Sequence, residues 1–186
     1  MRLQVASDEI RITYPEWVSR VVNWENRYVS DEVRMRLAIA LARENVATGT
    51  GGPFGAAVFE QSSGKVIAVG MNLVLPLRNS LLHAEVVALM MAERRLDCST
   101  LGEHQLVTSC EPCAMCLGAV HWSGVQNLMC GAAREDAERI KFDEGPVFPE
   151  SYAYLEKRGL RVTRGVCRQE SREVLEMYAR QSGVIY

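Results

Sequence analysis

Residues 109–123 read SCEPCAMCLGAVHWS and set two thiols three positions apart directly behind a proline. Proline suits the first position of a helix, where its missing N–H costs nothing, so Cys113 and Cys116 are expected in one first turn with both sulfurs facing one point. A helix N-terminus carries partial positive charge and lowers a thiol pKa, and thiolate is the form that binds metal. Two ligands do not hold zinc, so the rest of the chain must supply others. The best candidate is His83 of the tripeptide HAE, with Glu85 two residues beyond it.

Outward from that stretch, composition sets the bounds. A chain of 186 residues, 48% of them apolar, fits one compact domain with a sizeable core. A formal charge of −2 and a pI near 6.0 give no basic field of the kind that holds phosphate backbones, so a nucleic-acid partner is disfavoured. Six cysteines could suggest disulfides, but no charged-then-apolar leader is present and a core of this size needs no staples, which points to a reducing, cytoplasmic setting. No apolar run approaches the length of a membrane span. No internal repeat or low-complexity tract is evident.

The elements around the motif follow from periodicity and punctuation. Residues 1–29 form an extension rich in bulky side chains, with a short helix about 15–24, packed on the body. Ser30 suits an N-cap, Asp31 and Glu32 follow it, and apolar residues recur at helical spacing to about Ala47. Residues 54–60 and 65–71 are short apolar runs joined by QSSG and read as an antiparallel hairpin. A loop at 73–82 leads to a buried helix at 83–96. A third strand at 105–109 delivers the chain to Cys110, and the PCAMC helix runs to about Trp122. A fourth strand at 126–131, a helix at 133–140, a loop at 142–149, a helical turn at 151–157, a fifth strand at 160–166 and a last helix at 170–180 complete the chain. A helix between the fourth and fifth strands permits a parallel pair. The expectation is a three-layer α/β/α domain over 30–186 with a mixed five-stranded sheet.

If both helices beginning at His83 and at Cys113/Cys116 point their N-termini into one pocket, three protein ligands leave a fourth position open, and zinc there lowers the pKa of a bound water to about 7. Glu85 can serve as the base only at a helix start, because side chains at i and i+2 do not share a face further along. A closed Cys3His site that adds Cys110 and merely ties two helices together is the competing arrangement. Spacing does not separate the two.

HAE at 83–85 with PCAMC at 112–116 resembles the H-x-E…P-C-x-x-C signature of the zinc-dependent cytidine deaminase superfamily. The resemblance implies a cytidine-deaminase-like fold, one zinc ion per chain held by His83, Cys113 and Cys116, Glu85 as proton shuttle, Cys110 outside the ligand set, and a homodimer. Finer stretches, GGPFGAAVFE at 51–60, EPCAMCLGAVHWSGV at 111–125 and FDEGP at 142–146, resemble the bacterial guanine deaminases, and the ending SGVIY resembles a subgroup also associated with ammeline. Where those enzymes commonly carry a second aspartate, this chain has Glu144, one methylene longer. Deamination of another base, of a nucleoside or of tRNA adenosine is the second function in play, and a non-catalytic zinc-stabilised interaction domain the third.

What the resemblance implies for the pocket is Phe54 and Phe142 against the two faces of a planar base, Asn72 on its edge, Trp122 on the floor, Asp143 and Glu144 from the FDEGP loop, and Tyr186 closing the top. Plain alternatives stand beside each: core aromatics for Phe54, Phe142 and Trp122, a turn residue for Asn72, a solvated acid for Glu144, a frayed terminus for Tyr186. An ionised Glu144 only accepts hydrogen bonds, which suits the N1–H of guanine and rejects adenine. Glu85 and Glu144 are the expected catalytic acids. His104 and His121 are poor ligands by position, Arg94–Leu96 reads as a solvated helix end, and Cys98, Cys130 and Cys167 read as small buried groups.

Overall fold

The computed structural model describes residues 10–186. The extension's residues 1–9 lie outside them. A short helix α1 (Val18–Val21) precedes α2 (Asp31–Ala47), whose first turn is capped as Ser30 Oγ accepts the Val33 N–H at 3.3 Å. The hairpin is β1 (Gly55–Glu60) and β2 (Val66–Met71). The expected loop after it contains one helical turn, α3 (Val74–Leu77). Then come α4 (Ala84–Leu96), β3 (His104–Cys110), α5 (Ala114–Ser123), β4 (Asn127–Ala132), α6 (Arg134–Glu138), α7 (Pro149–Glu156), β5 (Arg161–Thr163) and α8 (Arg168–Arg180). The fifth strand is shorter than the apolar pattern of 160–166 suggests, since it pairs only with the start of β4.

The sheet order is β2-β1-β3-β4-β5, antiparallel across β2, β1 and β3 and parallel across β3, β4 and β5. This is the expected mixed five-stranded sheet. Strand alternation divides the core in two. Ala57, Phe59 and Val107 pack with Met35, Leu41 and Val174 of α2 and α8, while Ala56, Val58 and Leu106 pack with Ala88, Leu117 and Val120 of α4 and α5. Three layers result. Gly70 on β2 lets α4 sit directly on the strand backbone, because a Cβ there would lie 2.0 Å from Ala84 O.

Residues 10–29 close over the α2 face. Trp17, Val18, Val22 and Tyr28 are buried in that cluster, Tyr28 N–H donates to Gly64 O at 2.9 Å, and Tyr14 stacks on Trp24.

The topology brings five element ends to one edge. The start of β1 and the end of β2 pair at Gly55 and Met71, and the end of β3 lies beside the start of β1, where Gly55 N–H donates to Ser109 Oγ at 3.1 Å. The N-termini of α4 and α5 open at the same edge, one following β2 and α3, the other following β3.

Candidate active site

His83 and Cys113 occupy equivalent places: each is the N-cap of its helix, with extended backbone angles of φ −69° and ψ 156°, and φ −67° and ψ 174°. Pro112 therefore stands one position before the cap instead of opening the helix as expected, because Cys113 keeps the extended run of β3. The sulfurs still converge, since a cap and the residue three beyond it lie on one side. Cys113 Sγ and Cys116 Sγ each lie 3.5 Å from His83 Nδ1, and the three donor atoms all fall within 4.8 Å of one another.

Glu85 is the second residue of α4 and turns back over this cluster. Its Oε2 accepts from Cys116 Sγ at 3.5 Å, and its Oε1 accepts from the Thr108 hydroxyl at 3.1 Å. Cys110 is directed elsewhere, its Sγ toward Ala133 O at 3.7 Å, and it is not part of the donor cluster among the described residues. The closed Cys3His arrangement is not what the chain forms.

Charge is distributed as a cation site requires. The hydrogen bond from Cys116 holds the Cys113 thiol down to about 4, and the same bond, with burial, pushes Cys116 well up. Without a cation the pair shares one proton; a dication removes it and makes both sulfurs ligands. Burial and the Cys113 thiolate push Glu85 up. Burial also pushes Glu144 up to about 8, with Cys113 and Glu85 adding to it. Glu144, expected ionised, thus carries its proton near neutrality in the metal-free chain, while a cation on the donor cluster of the same cavity would draw it back down.

A small cavity of about 30 Å³ lies over the cluster, lined by His83, Glu85, Cys113, Phe54, Asn72, Phe142, Asp143, Glu144, Tyr186 and Glu111. Among the described residues, two neighbouring buried donors there, Asn72 Nδ2 and the Tyr186 hydroxyl, have no well-formed hydrogen bond, and the Asn72 side chain is the polar group nearest in influence to that hydroxyl. Buried polar groups are almost always paired, so orphans at one cavity mark where a polar ligand goes. Asn72 Oδ1 is already committed to the Val74 N–H at 3.2 Å, which leaves the amide nitrogen as its free end. Asp143 lines the cavity but is exposed and holds the Gly145 N–H at 2.9 Å.

Two expected placements are corrected. Trp122 is 81% exposed and contacts His121, at the far end of α5 from the cavity. Phe54 and Phe142 do not form two walls with a gap between them: their centroids are 5.0 Å apart in an edge-to-face contact, and Phe142 makes a second such contact with Tyr186. They form one aromatic corner. Outside the site, Cys98 is exposed and Cys167 half-buried, against the expectation of burial; Cys130 is buried. Arg95, at the expected solvated helix end, also donates to Ile67 O at 2.7 Å and covers the Trp24 ring.

Sequence reasoning missed Thr108 and Glu111. Thr108 was accessible, because residues 106 and 108 share a strand face and Leu106 packs in the layer of α4. Glu111, between the strand and Pro112, pairs with Arg164 at 3.4 Å, a partner too distant in sequence to foresee.

The family model for the cytidine and deoxycytidylate deaminase zinc-binding region matches residues 29–132. A guanine deaminase of Bacillus subtilis is 37% identical over 130 residues, which span 70% of this chain and 82% of that protein. Among solved structures, a guanine deaminase from Nitrosomonas europaea superposes with a TM-score of 0.88 at 42% identity, covering 94% of this chain and 98% of the other. A variant of NE0047 in complex with 8-azaguanine matches with a TM-score of 0.88 at 42% identity over 94% and 97% of the two chains.

Proposed function

This chain belongs to the cytidine and deoxycytidylate deaminase zinc-binding family, and we propose that it hydrolyses a free amino-substituted base, guanine to xanthine and ammonia, with ammeline as a further substrate. The observation that carries the reading is the His83, Cys113 and Cys116 donor cluster with the Glu85 carboxylate turned onto it. The donor set fits one Zn2+ per chain: two thiols and an imidazole are tetrahedral zinc ligands, and three protein donors leave the fourth position open. When bound, the ion supplies a Lewis acid that brings water near neutral ionisation.

The residues divide the remaining work. Asn72 Nδ2 donates to an acceptor on the purine edge, and the aromatic corner of Phe54 and Phe142 packs on one face of the ring. Glu144 takes the N1–H side of the base. Glu85, held by Thr108, takes a proton from the water that adds at C2 and passes it to N3. Glu85, ionised again, then takes the C2 hydroxyl proton, and Glu85 or Glu144 delivers a proton to the amino group. The C2–N bond breaks, ammonia leaves and the C2–O bond becomes the carbonyl of xanthine, with the hydroxyl proton restoring whichever acid gave its own. Burial of Glu144 suits that second role, since a carboxyl with raised pKa both holds and gives a proton near pH 7. Entry of a base requires Tyr186 to move, because a cavity of about 30 Å³ holds little more than one water.

Residues 30–186 act as the deaminase domain with 1–29 as its packed extension, in a cytoplasmic homodimer serving purine breakdown. No helix among the described residues is long and apolar enough to cross a membrane. Support for a second copy comes from α5, which carries no charged residue, and from exposed Trp122, Tyr154 and Phe148 beside a groove of about 300 Å³ between α5 and α7. Sedimentation of Trp122→Glu checks this: a monomer is expected where the parent is a dimer.

The deciding experiment is ammonia release from the zinc-loaded protein over guanine, guanosine, adenine, cytosine, isocytosine and ammeline. Turnover of guanine is expected to lead. Turnover led by adenine or cytosine overturns the substrate assignment, and zinc content with no turnover on any base overturns the enzyme reading.

A further inference from the structure

The carboxamide of Asn45, fully buried near the end of α2, makes three hydrogen bonds to the segments that lead into β1 and out of β2. Its Nδ2 donates to Gly52 O and to Asn72 O, each at 2.9 Å, and its Oδ1 accepts the Thr50 hydroxyl at 2.9 Å. Two carbonyl acceptors at one end of the group require that end to be the nitrogen, so the orientation of the amide is fixed by its partners. Thr50 Oγ1 in turn accepts the indole N–H of Trp17 at 3.0 Å. Trp17 lies in the N-terminal segment and is 3% exposed. An unbroken chain of hydrogen bonds therefore runs from that segment, through the loop after α2, to the backbone on both flanks of the cavity: Gly52, two residues before Phe54, and Asn72 itself. Asn72 N–H closes the lattice by donating to Phe54 O at 3.1 Å. Gly51 makes the crossing possible, since a Cβ there would lie 2.0 Å from Asn72 O and 2.6 Å from Asn45 Nδ2.

Asn72, one residue beyond β2, presents its Nδ2 to the cavity; its N–H is held by Phe54 O across the hairpin, while its carbonyl is held by Asn45. A donor aimed at a base edge binds well only if its direction is set before the base arrives. We propose that Asn45 is a positioning residue for base recognition: tethered by Thr50 and Trp17, it fixes the Asn72 carbonyl and the Gly52–Phe54 approach, so that the N-terminal segment sets how tightly the base is held. This rests on the reading of Asn72 as a contact to the base.

The test removes the hydrogen-bonding groups, isosterically in Thr50→Val and with part of a buried ring in Trp17→Phe, in the zinc-loaded full chain with guanine as the probe. Thr50→Val, which loses the bonds to Asn45, Trp17 and Thr48 together, and Trp17→Phe are each expected to raise KM about three- to tenfold, with kcat within about twofold. Thr50→Ser restores the parent KM. In an Asn72→Ala background the same substitutions lose their effect, because the group through which they act is gone. A second readout does not depend on turnover. The Val74 N–H donates to Asn72 Oδ1, so its hydrogen exchange reports whether the Asn72 side chain is held. That amide is expected to exchange about three- to tenfold faster in Thr50→Val, with β3 amides unchanged.

KM shifts of equal size with and without Asn72, faster exchange throughout the sheet, or an unmoved Val74 amide each overturn the positioning role. If the parent protein turns over no base, the substrate reading falls, and the Val74 exchange alone decides whether Asn45 holds Asn72.

Discussion

Two buried acids at opposite ends of the 133–144 segment meet opposite fates. Asp136, with no side-chain exposure, accepts the Ala133 N–H at 3.0 Å, two bonds from Arg168 at 2.8 and 3.2 Å, and one from Arg139 at 3.5 Å. The Arg168 hydrogen bonds hold its carboxyl below the usual aspartate range. Glu144, also buried, looks into the cavity, and burial beside the Cys113 and Glu85 charges pushes it up to about 8. Burial alone decides neither case. What differs is the partner: a fully paired acid fastens α6 to α8, whereas an underpaired one is left with a proton to exchange. Glu85 belongs with the second kind, since among the described residues Thr108 is the one hydroxyl that donates to it.

The largest expected effect follows from removing the underpaired acid beside the donor cluster. Glu85→Gln keeps the shape and discards the base, and turnover is expected to fall by about 10²–10⁴-fold. Zinc content by elemental analysis stays at that of the parent and the melting temperature does not drop. Loss of the metal instead places Glu85 among the structural acids with Asp136.

Asp136→Asn should do the reverse. It leaves Arg168 beside a neutral group and weakens charge-assisted bonds, with an expected loss of about 2–3 kcal/mol in denaturant unfolding and no change in turnover per folded molecule. The sign with pH is fixed by the lowered pKa: the contribution is fully present above the unfolded value of 3.8 and is lost as pH falls through the lower folded value. The parent and the variant therefore differ at pH 7 and converge in stability as pH falls below 3.8.

Glu144→Gln sharpens the contrast because its sign is opposite. A carboxyl raised to about 8 binds its proton more tightly folded than unfolded, so in the metal-free protein the acid destabilises progressively as pH rises from about 4.5 to about 8. The metal-free variant is expected to be more stable than the metal-free parent at pH 8 and equal to it at pH 4. Zinc narrows the difference, as a nearby dication favours the carboxylate. A loss of stability at pH 8 would place Glu144 in the same class as Asp136.

Much of this contrast was legible in the sequence, and its gaps have physical causes. The two ligand stretches announce themselves because each is local: PCAMC and HAE place cap, ligand and base within one turn, where spacing fixes direction. Trp122 fails by the same arithmetic. At 3.6 residues per turn it stands roughly 180° around the helix from Cys113, so a pocket-floor role was excludable from spacing, and the charge-free face of α5 was there to receive it. The edge-to-face contact of Phe54 with Phe142 was not legible, since the two rings come from segments joined only by folding. Asn45 carried no signal at all. A helical asparagine near a C-terminus reads as a solvated cap, and only the approach of Asn72 and Gly52 gives it acceptors.

Thr108 gives the smallest and most discriminating effect. Valine matches its shape, fills the same buried position on β3 and leaves Glu85 Oε1 without its hydroxyl donor. A donor stabilises the ionised carboxylate, so its loss raises a pKa that burial has already raised. The base must be ionised to take the proton from water, and a higher pKa removes the active form from the acid side of the pH profile. Thr108→Val is therefore expected to move the acid limb of kcat/KM to higher pH and to lower turnover about three- to tenfold at neutral pH, with recovery at alkaline pH. Thr108→Ser keeps the donor and leaves the limb in place. An unmoved limb in Thr108→Val would make the hydroxyl a packing group, and Glu85 would then owe its orientation to the start of α4 alone.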